Sequence, residues 1–408
     1  MKKILFSLAA ASLVYGASAV ADVDLKVGGQ AVVYYQTNDA GDNNLFGTGS
    51  KALGDTNSIA NYGVQLDIGG DLGNGFVLGS QVSYLGTSGL ETSIVRNTAQ
   101  NDGGLNGLMG STDALLLTQV NIAKVVGNTT VKLGRQELPK SLSPLAFSEG
   151  WNVFKNTFDA AVIINSDIPG VTLVGAAVGR ANNSYDLGNW NSLQTTGTAS
   201  AVDGAYMLTA QTSLIPLVTL TASYYALGDL NATAERDSAS AIWVDAKLAD
   251  KVLPLGLSLG LQGGQISPEL SALDATTAMG AKLGLSPIDG LGVKVAYSTV
   301  NDGAVAMTNT GTGVKTPLYT QLIANQKGVR HDNNTIAAGL KYAFGGTGVF
   351  ADYSISSDNS AADKDLSYVQ AGVTTELSGI NLLAAYINSK YGDDDAVSIV
   401  RVVARYAF

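Results

Sequence analysis

The chain has 408 residues, no cysteine, 48 glycines against 8 prolines, and a formal charge of −10. Without cysteine there is neither a disulfide scaffold nor a thiolate metal site. The acidic balance excludes a basic nucleic-acid footprint, so no nucleic-acid partner is expected.

At the N-terminus, Lys2 and Lys3 precede an apolar run from Ile4 to Tyr15, followed by Gly16, Ala17, Ser18, Ala19, Val20 and Ala21. A charged start, a short apolar run and small residues in A-x-A spacing form an export signal. The run is shorter than the roughly 20 residues a membrane helix needs. Cleavage is expected after Ala21, with Ala19 as the next choice, leaving 22–408 as a single domain. No later apolar run is long enough for a membrane helix, so any insertion must be as strands.

Period-two alternation then predicts about eighteen strands, with sixteen as the alternative count. They are Val23–Gln36, Asn61–Gly70, Phe76–Gly86, Asp113–Lys124, Asn128–Glu137, Phe158–Asp167, Gly170–Arg180, Asp203–Thr212 and Leu217–Leu227. The second half continues with Asp237–Leu248, Leu255–Gln262, Thr277–Leu285, Leu291–Thr299, Asn334–Phe344, Thr347–Ile355, Leu366–Glu376, Ile380–Asn388 and Ala396–Phe408. Long and short connections alternate strictly, a long one first. The region from Asp203 to Thr299 is the least regular.

The faces of these strands differ in kind. In the last one, Val400, Val402, Ala404, Tyr406 and Phe408 share an apolar face, while Arg401 and Arg405 lie on the other. The same parity sets Val64 and Leu66 against Asp67, Val131 and Leu133 against Lys132, and Val293 and Val295 against Lys294. A cation facing lipid near the bilayer midplane costs about 2–4 kcal/mol. The pattern therefore fits an antiparallel transmembrane β-barrel with outer-membrane lipid outside and a polar lumen inside. A soluble sandwich would also alternate, but the strand number and the export signal weigh against it. Lumen-wall positions on this reading are Lys26, Asp67, Lys132, Asp159, Arg180, Lys294, Lys341, Arg401 and Arg405. Aromatics near strand ends, among them Tyr35, Tyr62, Phe76, Tyr84, Phe158, Tyr206, Tyr297, Phe344, Tyr386 and Tyr406, read as two interfacial girdles.

Other signals stay bland. His331 is the single histidine, so no His-based pair or His-rich metal site is expected and no catalytic residue is assigned. Three carboxylates, Asp393–Asp395, are the one weak pointer to Ca²⁺; otherwise no cofactor or metal is expected. Gly69–Gly75 reads as a turn, because no helix follows it to cradle a phosphate. Trp151, Trp190 and Trp243 read as packing or interface residues.

The export signal, the loop rhythm and the terminal Arg405-Tyr406-Ala407-Phe408 resemble the major outer-membrane porins of epsilonproteobacteria, which are similar in turn to the carboxylate channels of pseudomonads. The closest likeness lies in Val131–Val178, with Gly134, Arg135 and Gln136 entering the third long loop and Asp167, Pro169 and Gly170 closing the next hairpin. The resemblance implies a porin for passive diffusion of ions and small hydrophilic solutes. A surface adhesin or structural barrel is the alternative; a barrel enzyme is not expected. It implies a homotrimer in the outer membrane, with Tyr406 and Phe408 read by the barrel-assembly machinery. It also implies a constriction built by the third and seventh long loops, Leu138–Thr157 and Val300–Asn333. Arg135, Lys140, Glu149 and Lys155 are then expected to set the charge of the eyelet. The wall is net basic and the loops net acidic, so the ion sign stays open at this point.

Overall fold

The structure, a computed structural model, describes residues 24–41, 44–46, 58–87, 100, 114–182, 185–191, 193–194, 201–202, 204–228, 238–249, 253–270, 272–359 and 364–408. The expected export segment and most of the first two long loops lie outside these residues.

Eighteen antiparallel strands form a closed barrel. They are β1 Asp24–Asn38, β2 Ile59–Gly73, β3 Phe76–Gly86, β4 Ala114–Val126, β5 Thr129–Gln136, β6 Phe158–Asn165, β7 Val171–Asn182, β8 Ala205–Thr212 and β9 Val218–Leu227. Then follow β10 Ala239–Ala249, β11 Ser258–Pro268, β12 Thr276–Leu285, β13 Leu291–Val300, β14 Asn333–Phe344, β15 Thr347–Asp358, β16 Leu366–Leu377, β17 Ile380–Tyr391 and β18 Val397–Ala407. Each pairs with its sequence neighbours, and β1 closes on β18 from Gln30↔Ala407 to Asn38↔Ile399. Closure leaves no unpaired edge, which is what a strand wall in lipid requires. Among the described residues no helix is long and apolar enough to cross a membrane.

The irregular stretch from Asp203 to Thr299 resolves into six of these strands. Within it, β11 starts later and runs further than its sequence suggests. Residues Pro254–Gly256 form a 3-10 turn with Leu255 at φ 58°. Gly263 and Gly264 look like a strand end but continue the ladder opposite Val244 and Trp243. A Cβ on Gly264 would stand 2.6 Å from the Trp243 ring, so the glycine makes room for an inward-facing indole.

The outer face is apolar: Val64, Leu66, Leu133, Ile242, Leu261, Met279, Val295 and Leu340 are all exposed there. Tyr62, Tyr206, Tyr224, Tyr297, Tyr353 and Tyr386 ring one end of the wall, and Phe76, Tyr342, Phe344, Tyr406 and Phe408 the other. Phe158 is not part of this belt. It is fully buried and points inward, where its ring lies against Gly311.

Asp159 and Arg180 also depart from expectation, because both sit on the outer register. Phe158, Ala160 and Val162 of β6 are buried toward the lumen, which turns Asp159 outward. In β7 the pairing slips between Asp159↔Arg180 and Ala160↔Val178. One extra residue inverts the parity of everything beyond it, so Arg180 faces out although it shares an even number with inward Val174, Ala176 and Val178. Lys26, Asp67, Lys132, Lys294, Lys341, Arg401 and Arg405 lie on the lumen register.

Candidate functional site: the loop-lined lumen

Two long connections, residues 137–157 between β5 and β6 and residues 301–332 between β13 and β14, fold into the barrel. The first is pinned on opposite walls. Near its start, Leu138, Leu145 and Ala146 bury against Val162, Val174 and Val178. Near its end, Val153 and Phe154 bury with Val32, Tyr34, Leu85 and Val403. Gly63 leaves the room for Phe154, since a Cβ there would stand 2.5 Å from its ring. Arg405 of β18 fixes the same end by donating to the carbonyls of Val153 at 2.8 Å and Asn152 at 2.7 Å.

The second loop is latched onto the first. The Asn309 side chain accepts the Phe147 amide at 2.9 Å and donates to the Phe147 carbonyl at 2.8 Å. Thr310 N–H donates to the Leu145 carbonyl at 2.8 Å, and Lys140 Nζ to the Thr316 carbonyl at 3.0 Å. The loop then reaches the far wall through Tyr319, whose hydroxyl donates to Asp245 Oδ2 at 2.8 Å while its ring rests on Gly260. Burial and the Asp245 bond together push the Tyr319 phenol above its ordinary value. Leu322 completes the seating against Tyr368 and Ile387.

What remains open is a cavity of about 710 Å³ between these loops and the wall of β16–β18. Lys294, Lys315, Arg401 and Arg405 face it together with the single carboxylate Glu376. Trp151, Leu322, Leu382, Leu383 and Val403 supply its apolar surface. Each wall cation is held in place. Arg401 donates through Nε and Nη2 to Gln36 Oε1 at 2.9 and 2.7 Å, and Lys294 pairs with Asp352 at 2.9 Å. Lys315, from the inner loop, donates to the Leu322 and Ile323 carbonyls. Burial lowers its ammonium to about 7, opposed by the nearby Glu149 charge. Desolvation of the ammonium among the inner loops likewise brings Lys140 down to about 8.

The four residues expected at the eyelet separate. Glu149 is buried between the loops, accepting from Trp151 Nε1 at 2.6 Å, Asn309 Nδ2 at 2.7 Å, Lys315 N–H at 3.1 Å and the Thr312 hydroxyl. Lys140 is an exposed residue at the loop partition whose Nζ is held by the Thr316 carbonyl, and Lys155 is half-exposed and paired with Glu137 at 2.6 Å. Arg135 is not in the lumen. Its ladder partners Val120 and Asp159 share the outer register, and Gln136 beyond it turns inward. The sequence reading missed Lys315, which no strand parity marks, and gave Trp151 a packing or interface role without placing it at the lumen. Position in the middle of the Val131–Val178 likeness was the available signal for Trp151. His331 does have a carboxylate neighbour: its Nε2 lies 3.4 Å from Asp302 Oδ1 and 2.9 Å from the Gly303 carbonyl. Both partners are loop residues, so the contact ties residues 301–332 together. Among the described residues no group of three or more His, Cys, Asp or Glu side chains is placed to share a metal ion.

Solved structures share this architecture. Pseudomonas aeruginosa OccK9 (OpdG) matches with a TM-score of 0.76 and 14% identity over 94% of this chain and 98% of its own. Pseudomonas aeruginosa OccK8 (OprE) matches at 0.75 and 13% identity over 94% and 98%. Acinetobacter baumannii OccAB3 matches at 0.75 and 12% identity over 94% and 99%. The chain has the fold of these proteins. No family model and no curated protein matches it. At these identities the likeness concerns the barrel and its topology, and the lumen charges above are this chain's own.

Proposed function

We propose that this protein is an outer-membrane porin, a water-filled channel through which ions and small hydrophilic solutes diffuse passively. The observation that carries the reading is the lumen left open between two inward-folded loops and the barrel wall, inside strands whose outer face is apolar. At the open cavity Lys315, Arg401 and Arg405 outnumber Glu376, with the charge of Lys294 already matched by Asp352. In a narrow, low-dielectric passage such an excess raises the local concentration of anions. The reading therefore includes a preference for small anions, carboxylates among them. The apolar patch of Trp151, Leu383 and Val403 beside the two arginines suits solutes that carry an apolar body behind the charge. Outer-membrane location, the homotrimer, the barrel-assembly machinery and the epsilonproteobacterial likeness enter by resemblance.

The test is purified protein in a planar bilayer, recorded first for conductance steps and then for reversal potential in a salt gradient. Discrete steps with an anion-favouring potential are expected. Folded, heat-modifiable protein that gives no steps would sink the channel reading in favour of a structural or adhesive barrel. A cation-favouring potential would remove the wall cations as the filter.

A further inference from the structure

On three adjacent strands the outer face ends in charge instead of aromatic rings. Arg135 of β5, Asp159 of β6 and Arg180 of β7 are consecutive cross-strand partners on the outer register. They stand at the loop end of the wall, in the gap between Tyr62 and Tyr84 on one side and Tyr206 and Tyr224 on the other. Asp159 is the hub. Its Oδ1 accepts Arg135 Nε at 2.8 Å, and its Oδ2 accepts Arg135 Nη2 at 3.3 Å and Arg180 Nε at 2.6 Å.

The two arginines are used differently. Arg135 spends its remaining Nη1 on the Leu117 carbonyl at 3.0 Å, and its guanidinium carbon lies 3.6 Å from the Trp190 ring centroid. Its side chain is only 18% exposed. Arg180 is 53% exposed and, among the described residues, its two Nη groups have no protein partner. One positive charge is left over on the triad, carried by a planar fork pointing away from the barrel. Directly below on the same register, Gly175, Ala177 and Gly179 leave the wall without side-chain bulk.

We infer that this triad is a lipid-headgroup site, with Arg180 receiving a phosphate of a phosphorylated glycolipid of the outer leaflet. Asp159 and Arg135 aim the guanidinium, and the small residues beneath it give an acyl chain a smooth track. Three physical arguments support this. A net cation on the outer face is costly at the midplane and nearly free at the interface, which fixes the level of the site. A guanidinium edge with two free N–H groups matches two phosphate oxygens. The bulge at Gly179/Arg180 turns outward a residue that an unbroken strand would put in the lumen. The inference rests on the proposed function in needing this wall to face lipid and that lipid to be the outer leaflet of the outer membrane.

The experiment uses the purified full barrel, wild type and the variants Arg180→Gln and Arg180→Lys, with bisphosphorylated lipid A and its dephosphorylated form as probes. Retained lipid is counted by native mass spectrometry, and conductance is recorded on the same samples. Wild type is expected to prefer phosphorylated lipid A by about tenfold or more, tenfold being the scale of one charge-assisted hydrogen bond. Arg180→Gln should lose that preference and Arg180→Lys keep part of it, with heat-modifiability and conductance unchanged in both. Equal retention by wild type and Arg180→Gln would overturn the site. So would displacement of the lipid by millimolar inorganic phosphate, which would mark a general anion site. A change of oligomeric mass in Arg180→Gln with lipid retention unaltered would also overturn it, making the face a contact between copies. Absence of conductance in the wild type would count against the channel reading alone.

Discussion

Asn309 holds Glu149 across 160 positions of chain, its Nδ2 donating to the Glu149 Oε1 at 2.7 Å. This bond is the centre of the partition inside the barrel. Glu149 is 4% exposed and surrounded by donors from both inner loops, so its charge is spent on joining them and little of it reaches a passing ion.

Replacing Glu149 with Gln tests that division of labour. The amide offers one acceptor oxygen and turns its NH₂ toward groups that are themselves donors. Hydrogen bonds to a charged partner contribute about 1.5–3 kcal/mol each, and an unmatched buried donor adds to the loss. Glu149→Gln is expected to loosen residues 301–332 from residues 137–157, with noisier open-channel current and larger mean conductance. The ion sign should move little. A variant with quiet, wild-type-sized steps and a reversed selectivity would show that Glu149 acts as an eyelet charge after all.

Lys315 gives the channel a pH dependence near neutrality. The charged and titratable groups acting on it are Glu149, Arg401 and Lys140, and burial dominates them all in lowering it to about 7. Below that value the ammonium is charged and adds to Lys294, Arg401 and Arg405; above it the charge is gone. Anion preference, read as reversal potential in a fixed salt gradient, is therefore expected to be stronger at pH 6 than at pH 8.5. Lys315→Met should flatten the difference. The stability sign is opposite in form. The folded state binds the proton less well than the unfolded chain, so this residue's destabilising effect is full below about pH 7 and fades as pH rises toward the ordinary lysine range near 10.4.

Arg401 separates charge from architecture. Among the described residues it hydrogen-bonds the Gln36 side chain alone and lies near the rings of Tyr34 and Trp151, 5.6 and 6.0 Å from their centroids. Arg405, by contrast, carries the backbone of residues 152 and 153. Arg401→Gln should shift the reversal potential toward cations with step size nearly unchanged. Arg405→Gln should change both, since the end of the loop is freed as well. Identical behaviour of the two variants would contradict these separate roles.

These residues show where sequence reading succeeds and where it stops. Period-two alternation places Lys294, Arg401 and Arg405 on the lumen side, because a wall between lipid and water enforces parity strand by strand. It fails at Arg180, where a bulge adds one residue, and at Asp159, whose strand buries its even positions against the inner loops. Phe158 fails for the same reason: packing under Gly311 wins over a place in the girdle. Nothing in the pattern marks Lys315, since its role depends on a loop crossing the lumen and on partners far away in sequence. Gly264 breaks the alternating run in sequence because the need for a missing side chain is set by Trp243 on the neighbouring strand.

Gly63 offers a test of the inner loop's anchorage that touches no charge. It lies on the lumen face of β2, and a Cβ there would meet the Phe154 ring at 2.5 Å and the Tyr84 carbonyl at 2.9 Å. The ring has no free space behind it, being buried with Val32, Tyr34 and Leu85. Gly63→Val must therefore push Phe154 out of its seat or distort the wall. Overpacking of this kind costs about 1–3 kcal/mol, small against a barrel closed by backbone pairing on every strand. The barrel is expected to fold and remain heat-modifiable, while the end of residues 137–157 comes away from the wall. Single-channel recording should then show larger, fluctuating conductance with the anion preference reduced, since Arg405 loses the Asn152 and Val153 carbonyls that hold it and Trp151 is no longer fixed beside the wall arginines. Steps of wild-type size and stability would mean that Phe154 is not what holds the loop across the channel.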